Sequence, residues 1–235
     1  MVFVPETKTG HPAAAHSAEA VVLRAGADGL QTLLWTRQQE PFAGRWALPG
    51  GYLAPGESLE ASARRHLSEK VGVREVGYLE QLETRSEPTR DPRGWTVTTA
   101  YLALVDAGQP IGAPADTAWW AATDPPPLAF DHTELVALAV ARLRAKLTYS
   151  NIARGLVPDV FAIADLRRVY SAVLGYDVSP SNLQRVLERG GLLEPTGERR
   201  PSGRNGGRPA ELFRFGHPGL AISRPLAAFR PRQRA

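Results

Sequence analysis

Alternating apolar and polar positions predict two pairs of β-strands in the first half of the chain. The predicted strands are at 18–24, 30–37, 76–84 and 95–105. A Gly-Ala-Asp-Gly turn separates the first two, which makes them a hairpin, and a polar loop with three arginines at 85–94 separates the others. Residues 1–16 show no such pattern, and we expect them to be irregular and poorly ordered.

Helical spacing occurs between the two strand pairs and again after them. Apolar or small residues recur at positions 59, 63, 67 and 71, which places them on one helical face. Ser58 and Gly72 supply the start and stop signals of this helix. Trp119, Trp120 and the prolines at 125–127 are expected to form a connection, and a second helical pattern ends near Lys146. Strands flanked by helices predict an α/β/α sandwich.

A separate set of elements follows residue 147. It comprises a short helix, a longer helix, a turn, a third helix and two strand-like segments, at 149–156, 164–174, 175–178, 180–189, 192–194 and 211–215. The apolar face of the longer helix is expected to contain Leu166, Val169, Tyr170 and Val173. Ser179 caps the third helix, and an arginine- and glycine-rich loop at 196–209 joins the strands. This order predicts a winged helix-turn-helix.

The composition of the chain indicates which kind of partner it binds and which cellular compartment it occupies. Residues 148–235 hold 14 of the 28 basic residues but only 7 of the 24 acidic ones, so the C-terminal part is strongly basic. Such a bias predicts nucleic-acid binding, whereas a flexible basic tail would explain only about the last dozen residues. The chain has no cysteine, no signal-like start and no apolar run long enough to span a bilayer. We therefore expect a cytoplasmic protein without disulfides or membrane contact.

The third helix and the loop after it carry the side chains expected to contact double-stranded DNA. Amides and guanidinium groups can recognise base edges in the major groove, and arginines of the wing suit phosphates or the minor groove. The candidates are Ser179, Ser181, Asn182, Gln184, Arg185, Arg189, Arg199, Arg200, Arg204 and Arg208. The alternative is a small helical domain that serves oligomerisation only.

The helix predicted at 59–71 contains most of a Nudix box. That pattern is G, five residues, E, seven residues, then R-E-U-x-E-E-x-G-U, where U is aliphatic. The chain resembles it at Gly51, Glu57, Arg65, Leu67, Glu69, Gly72 and Val73. It departs from the pattern at His66 and Lys70, where the family has glutamates.

These two departures affect metal binding. In Nudix hydrolases the glutamates hold Mg²⁺ against a diphosphate, and positions 66, 69 and 70 share one helical face. Only Glu69 remains here, and the ammonium of Lys70 would repel the metal and pair with Glu69 or with a ligand phosphate. We therefore expect no metal site, no catalytic residues and weak or no hydrolysis. The alternative for His66 and Lys70 is that both are solvated helix residues without a role.

Nearly the whole chain, from about residue 17 to 216, is similar to the Nudix-related transcriptional regulators of NAD metabolism, the NrtR family. The similarity rests on the box and on motifs at 46–51, 128–132, 161–170, 190–194 and 207–210. It implies an α+β protein with a Nudix domain at 17–147, a winged helix-turn-helix at 148–216, and termini at 1–16 and 217–235. It also implies a homodimeric repressor of NAD synthesis or salvage genes. ADP-ribose, NAD or a related metabolite would bind the Nudix domain and, in most members, weaken DNA binding.

A pocket that no longer cleaves a diphosphate can still bind one. Backbone amides near Gly50 and Gly51 and the cations Arg37, Arg45 and Lys70 are candidates for this contact. Any one of these cations taken alone is better explained as an ordinary surface charge. The family motifs add Trp46, Phe130 and His132. We expect no required cofactor, a nucleotide metabolite as effector, and a two-fold dimer on a palindromic operator.

Two other functions are consistent with the same residues. In a hydrolase of ADP-ribose or another nucleoside diphosphate derivative, Glu57, Glu69 and carboxylates outside the box, such as Glu83 or Glu87, would form the metal site. A dimerisation scaffold would not bind DNA at all.

Overall fold

A computed structural model describes residues 14–112, 114–201 and 209–222. By internal contacts the chain forms two compact units. The first comprises the described parts of Met1–Leu23, Gln31–Ala103 and Pro110–Ala139. The second comprises those of Arg24–Leu30, Leu104–Gln109 and Val140–Ala235. In the described ranges no helix combines the length and apolar character needed to cross a membrane.

One seven-stranded sheet organises the N-terminal part of the chain. Its strands are β1 Ala15–Gly26, β2 Gly29–Thr36, β3 Trp46–Ala47, β4 Gly50–Tyr52, β5 Tyr78–Arg85, β6 Thr96–Leu104 and β7 Thr117–Ala121. The main order is β3-β2-β1-β6-β5, with β4 paired to β1 and β7 paired to β2. β1 is buried continuously over 17–23 because it lies between β2 and β6. In the antiparallel pairing of β1 with β4, Glu19 lies opposite Gly50.

Two helices accompany this sheet, α1 Leu59–Val71 and α2 His132–Leu147. The Ser58 hydroxyl accepts a hydrogen bond from the Ala61 amide, 3.2 Å away, and Gly72 ends α1 in the left-handed conformation, with φ of 69°. These are the predicted start and stop signals of the box helix. The inward face of α1 includes Ala63, Leu67 and Val71, each at most 1% exposed.

The second unit contains a 3₁₀ helix, two α-helices and a three-stranded sheet. These are the 3₁₀ helix Ile152–Leu156, β8 Phe161–Ala162, α3 Ile163–Leu174, α4 Pro180–Arg189, β9 Leu193–Arg200 and β10 Ala210–Phe215, with strand order β8-β10-β9. All four residues predicted for the apolar face of α3 are buried. Ser179 caps α4, as predicted, and Leu183 and Leu187 are the buried residues of that helix.

Side chains of α3 hold the turn that leads into α4. Arg167 Nε donates to the Val178 carbonyl at 2.9 Å, and the Ser171 hydroxyl accepts from the Val178 amide at 3.1 Å. From the end of α2, Arg144 Nε donates to the Val173 carbonyl at 2.8 Å. The orientation of α4 relative to α3 is therefore fixed by hydrogen bonds as well as by apolar packing.

A C-terminal segment, residues 217–222, pairs with Ser150 and Asn151. Asn151 is fully buried, and its amide Nδ2 donates to the Gly219 carbonyl at 3.0 Å while its Oδ1 accepts from the Ala221 amide at 2.7 Å. The Asn151 backbone N–H also donates to Ala221, and Ser150 forms an antiparallel bridge with Ile222. The start of the expected C-terminal tail at 217–235 is thus part of the folded second unit.

Four predictions about local structure need correction. Ala15 and His16 belong to β1, so the irregular N-terminal segment was predicted too long; residues 1–13 lie outside the described ones. Trp119 and Trp120 form part of β7, not of a connection, because their backbone pairs with β2. The wing loop predicted from 196 is strand β9 as far as Arg200, since β10 pairs with it. The short helix at 149–156 is a 3₁₀ helix that begins at Ile152.

Candidate functional site

Glu57 and Arg65, two residues of the box, form an ion pair with each other. Arg65 Nε and Nη2 donate to the two oxygens of Glu57, each at 2.8 Å, in a bidentate pair. These hydrogen bonds, together with the Ala54 amide, lower the pKa of the Glu57 carboxyl to about 2. Glu57 therefore holds the turn before α1 against the helix and stays ionised at neutral pH.

The two departures from the box lie against the glycine-rich strand β4. His66 is 7% exposed, its Nε2 lies 3.2 Å from the Tyr52 carbonyl, and burial lowers its pKa. Lys70 Nζ donates to the Gly50 carbonyl at 2.5 Å and lies 4.5 Å from the centre of the Trp35 ring. The alternative that both are solvated helix residues is therefore wrong.

Gly51 is required by the position of His66. A Cβ at residue 51 would lie 2.7 Å from His66 Cε1, so any larger residue would displace either the imidazole or β4. The glycine that begins the box and the histidine that replaces a glutamate are thus packed against each other.

Glu69, which remains of the three metal-holding positions 66, 69 and 70, is poorly placed to bind a metal ion. Glu69 is 59% exposed and pairs with Arg65 at 3.4 Å, not with Lys70 as the sequence suggested. Glu83, considered as a substitute ligand, pairs with Arg85 at 3.1 Å. Within residues 14–112, 114–201 and 209–222, no group of three or more His, Asp or Glu side chains is arranged to hold a metal ion.

A cavity of about 390 Å³ opens beside β4 and the end of α1. Six of the eight residues predicted to bind the ligand line it: Arg37, Gly50, Gly51, Lys70, Phe130 and His132. Arg45 and Trp46 do not line it. Arg45 is exposed with its guanidinium 5.7 Å from the Phe42 ring, and Trp46 packs edge-on against Trp120.

The wall of the cavity contains a buried charge network that sequence reasoning missed. Glu19 Oε2 lies 3.3 Å from Arg90 Nη2 and 3.1 Å from His132 Nε2. Arg90 also pairs with Asp131 at 2.7 Å, and its side chain is 5% exposed. Burial alone would raise the pKa of the Glu19 carboxyl, but His132 and Arg90 hold that pKa below its ordinary value. The only sequence signal was an acidic residue within an apolar strand.

The state of His132 follows from its other nitrogen. The Leu48 amide donates to His132 Nδ1 at 3.0 Å, so Nδ1 carries no proton and the neutral ring has its proton on Nε2, facing Glu19. His132 thus ties the start of α2 to the segment before β4 and to β1.

Aromatic rings and arginines form the rest of the cavity. Arg37 lies 4.8 Å from the centre of the Phe130 ring, and Arg93 lies 5.2 Å from that of Tyr52. Arg37 also donates to the Pro41 carbonyl at 2.8 Å, and Arg93 pairs with Asp91 at 2.7 Å. Stacked, hydrogen-bonded arginines present their remaining N–H groups in fixed directions, which suits recognition of phosphate oxygens. Trp35, Tyr52, Asp91 and Arg93 were not among the predicted ligand residues.

The predicted DNA-contacting residues that the structure describes lie on or next to α4 and on β9. On α4, Ser181, Arg185 and Arg189 are exposed, and Asn182 Oδ1 accepts from Arg185 at 2.7 Å. Gln184 donates to Glu188 at 2.9 Å, and the Ser179 hydroxyl is used in capping. These contacts order the polar face of α4 without burying it.

On the wing, only part of the predicted arginine set is described. Arg199 is exposed at the end of β9, whereas Arg200 pairs with Asp165 at 2.8 Å. Asp165 also accepts from the Ala162 amide at 3.0 Å, at the start of α3. Arg204 and Arg208 lie outside the described residues.

Comparison with known proteins finds a related domain in each half of the chain. Residues 15–139 match the NUDIX domain, and residues 153–215 match the NrtR DNA-binding winged helix domain. The chain is 33% identical over 215 residues to the ADPR responsive transcriptional repressor NtrR of Acinetobacter baylyi, which covers 88% of this chain and 84% of the relative. The chain belongs to the NrtR family.

Solved NrtR structures agree with this membership. NrtR of Shewanella oneidensis complexed with a 27mer DNA is 35% identical, with a TM-score of 0.74, over 86% of this chain and 93% of that one. The NUDIX domain of the same NrtR, complexed with ADP ribose, is 38% identical, with a TM-score of 0.52, over 58% of this chain and 93% of that one. The predicted α+β class, a Nudix domain followed by a winged helix-turn-helix, is confirmed.

Proposed function

We propose that this NrtR-family protein is a DNA-binding repressor of NAD synthesis or salvage genes and that it senses ADP-ribose in its Nudix pocket. The relatives support both halves of the proposal, because one is named as an ADPR responsive repressor and another was solved with DNA. ADP-ribose is the first candidate effector, since a related NUDIX domain was solved with it. NAD is the second. Because a repressor acts on the chromosome, we place the protein in the cytoplasm.

The contact between Lys70 and Gly50 is the main observation that supports binding of a diphosphate in the Nudix pocket. The Lys70 ammonium donates to the Gly50 carbonyl of β4 and lines the cavity, where it supplies positive charge without a metal ion. A cation would have to compete with this ammonium, and of the three positions 66, 69 and 70 only Glu69 would offer it a carboxylate. We therefore propose that the pocket binds the diphosphate and does not hydrolyse it, through Arg37, Lys70 and the amides near Gly50 and Gly51.

The polar face of α4 carries the DNA half. Ser181, Asn182, Gln184, Arg185 and Arg189 are proposed to enter the major groove, and Arg199 with the wing is proposed to contact the backbone. Arg200 supports the wing through Asp165. We keep 17–147 and 148–216 as the proposed domain limits. A homodimer would place two α4 helices on a palindromic operator, about one or two duplex turns apart.

Binding of a fluorescent operator duplex tests both halves together. The duplex is taken from the genomic neighbourhood of the gene, and the titration is repeated with ADP-ribose, with NAD and with neither. We expect tight binding that falls steeply with salt and weakens at least tenfold with the effector, which corresponds to a coupling of about 1.4 kcal/mol. Equal affinity for the duplex in all three titrations would refute the proposed sensing of ADP-ribose or NAD. Negligible binding of the duplex at low salt would refute the proposed repressor function.

A turnover assay tests the proposed lack of hydrolysis. The protein is incubated with ADP-ribose and Mg²⁺ or Mn²⁺, and release of AMP is measured. Rapid AMP formation that is lost in Glu69→Gln would establish an enzyme whose activity depends on the box. We expect no AMP above the level of a protein-free control.

A further inference from the structure

Glu19 is a nearly buried carboxylate in the wall of the cavity. Its side chain is 11% exposed, and it lies opposite Gly50 in the β1–β4 pairing. A Cβ at residue 50 would lie only 2.5 Å from Glu19 Cγ. The glycine at 50 therefore leaves the space that the Glu19 side chain occupies beside the cavity.

The charged side chains that line the cavity carry an excess of positive charge. The carboxylates Glu19 and Asp91 pair with Arg90 and Arg93. Of the other lining cations, neither Arg37 nor Lys70 has a carboxylate of the described residues within ion-pair distance. The four cations and two carboxylates of the lining leave an excess of about two positive charges, which a ligand with about two negative charges would balance.

An excess of about two positive charges favours a diphosphate that is substituted at both ends. A diphosphate substituted at both ends carries one negative charge on each phosphate, whereas a terminal phosphate adds further charge. A terminal phosphate beside Glu19 would face a like charge in a poorly solvated wall. A sugar hydroxyl in the same place would donate to the carboxylate, a hydrogen bond that is stronger than a neutral one.

We propose that Glu19 is a specificity-determining residue, which accepts a hydroxyl of the ligand's sugar and disfavours a terminal phosphate. The pocket then selects a nucleoside diphosphate sugar over a free nucleoside diphosphate. This inference rests on the proposed function, because it assigns a role to Glu19 within the same sensing pocket.

Calorimetric titration of the full chain with ADP-ribose and with ADP tests the role of Glu19. The wild-type protein is expected to bind ADP-ribose at least about tenfold more tightly than ADP. In Glu19→Gln, which keeps the size of the side chain, ADP-ribose binding is expected to weaken by about tenfold. ADP binding in that variant stays equal or tightens, because the repelling charge has been removed.

Asp131→Asn is the matched control. Asp131 is another carboxylate partner of Arg90, but it does not line the cavity. We expect this variant to keep the wild-type preference. If both variants weaken ADP-ribose and ADP equally, Glu19 is only a counter-ion for Arg90 and the inference is overturned.

The other outcomes also decide the question. Equal affinity of the wild-type protein for ADP-ribose and ADP overturns the inference even if Glu19→Gln does not fold. Unchanged ADP-ribose binding in a folded Glu19→Gln overturns it as well. If the wild-type protein binds neither compound, the sensing pocket itself is rejected, and the role of Glu19 falls with it.

Discussion

Replacing Lys70 by methionine removes the positive charge at the end of α1 and keeps most of the side chain. Lys70 lies 4.5 Å from the centre of the Trp35 ring, where a thioether of similar length can also pack. If Lys70 binds a ligand phosphate, the variant loses a hydrogen bond between charged groups, which contributes about 1.5–3 kcal/mol. We therefore expect ADP-ribose binding about ten- to a hundredfold weaker than in the wild-type protein.

The stability of the fold should change less than the affinity for ADP-ribose. The variant loses the hydrogen bond from the charged Lys70 ammonium to the Gly50 carbonyl, worth about 1.5–3 kcal/mol, and a contact between the cation and Trp35 of about 0.5–1 kcal/mol. It also no longer keeps an ammonium in a poorly hydrated place, which offsets part of that loss. The losses and this gain partly cancel, so the expected change in unfolding free energy is at most about 2 kcal/mol.

Calorimetry with ADP-ribose and urea unfolding of the same samples separate these two effects. Arg74→Met is the control, because Arg74 is exposed, lies outside the cavity and gives the same change in net charge. Wild-type affinity in a folded Lys70→Met would refute the proposed role of the ammonium. So would an equal loss in the control, which would indicate a general effect of net charge.

Three further predictions concern the other elements of the proposal. The affinity of the wild-type protein for ADP-ribose should not change when EDTA is added. The double variant His66→Glu, Lys70→Glu should bind ADP-ribose more tightly with Mg²⁺ than without it. Weaker binding by the wild-type protein in EDTA would contradict the absence of a metal site. Arg189→Gln should leave unfolding unchanged and reduce the slope of log affinity against log salt by about 1, and an unaltered slope would exclude a phosphate contact. Burial would raise the pKa of Asp165, but Arg200 and the Ala162 amide hold it below its ordinary value. The ionised form therefore stabilises the fold above the unfolded-state pKa, so Asp165→Asn should lose about 1 kcal/mol at pH 7 and converge with wild type as the pH falls below about 4. A constant difference in urea unfolding at all pH values would contradict that assignment.

Local patterns were enough to predict the helices on which the proposed sites lie. Ser58 and Ser179 cap α1 and α4 as predicted, because capping depends on residues three positions apart in the chain. The predicted apolar face of α3 is buried for the same reason, since helical periodicity is a local property. The box frame predicted residues that line one cavity, because its glycine-rich start and its helix are adjacent in sequence.

Contacts between distant residues were not predictable from these patterns. Glu19 and Arg90 are 71 positions apart and meet only because β1 is a central strand. The strand containing Trp119 and Trp120 was missed because its pairing partner, β2, lies more than eighty residues earlier. Arg200 was assigned to DNA from its charge, and the ion pair with Asp165 depends on how β9 approaches α3.

The pairing of the C-terminal segment with Asn151 sets a limit on how far the protein can be shortened. The family match to the winged helix domain ends at residue 215, before Gly219 and Ala221. A chain cut there would strip a fully buried asparagine of both side-chain hydrogen bonds and leave the amide unsatisfied, at a cost of about 1–3 kcal/mol. Versions prepared for crystallisation should therefore extend at least to Ile222, and purification tags belong beyond that residue.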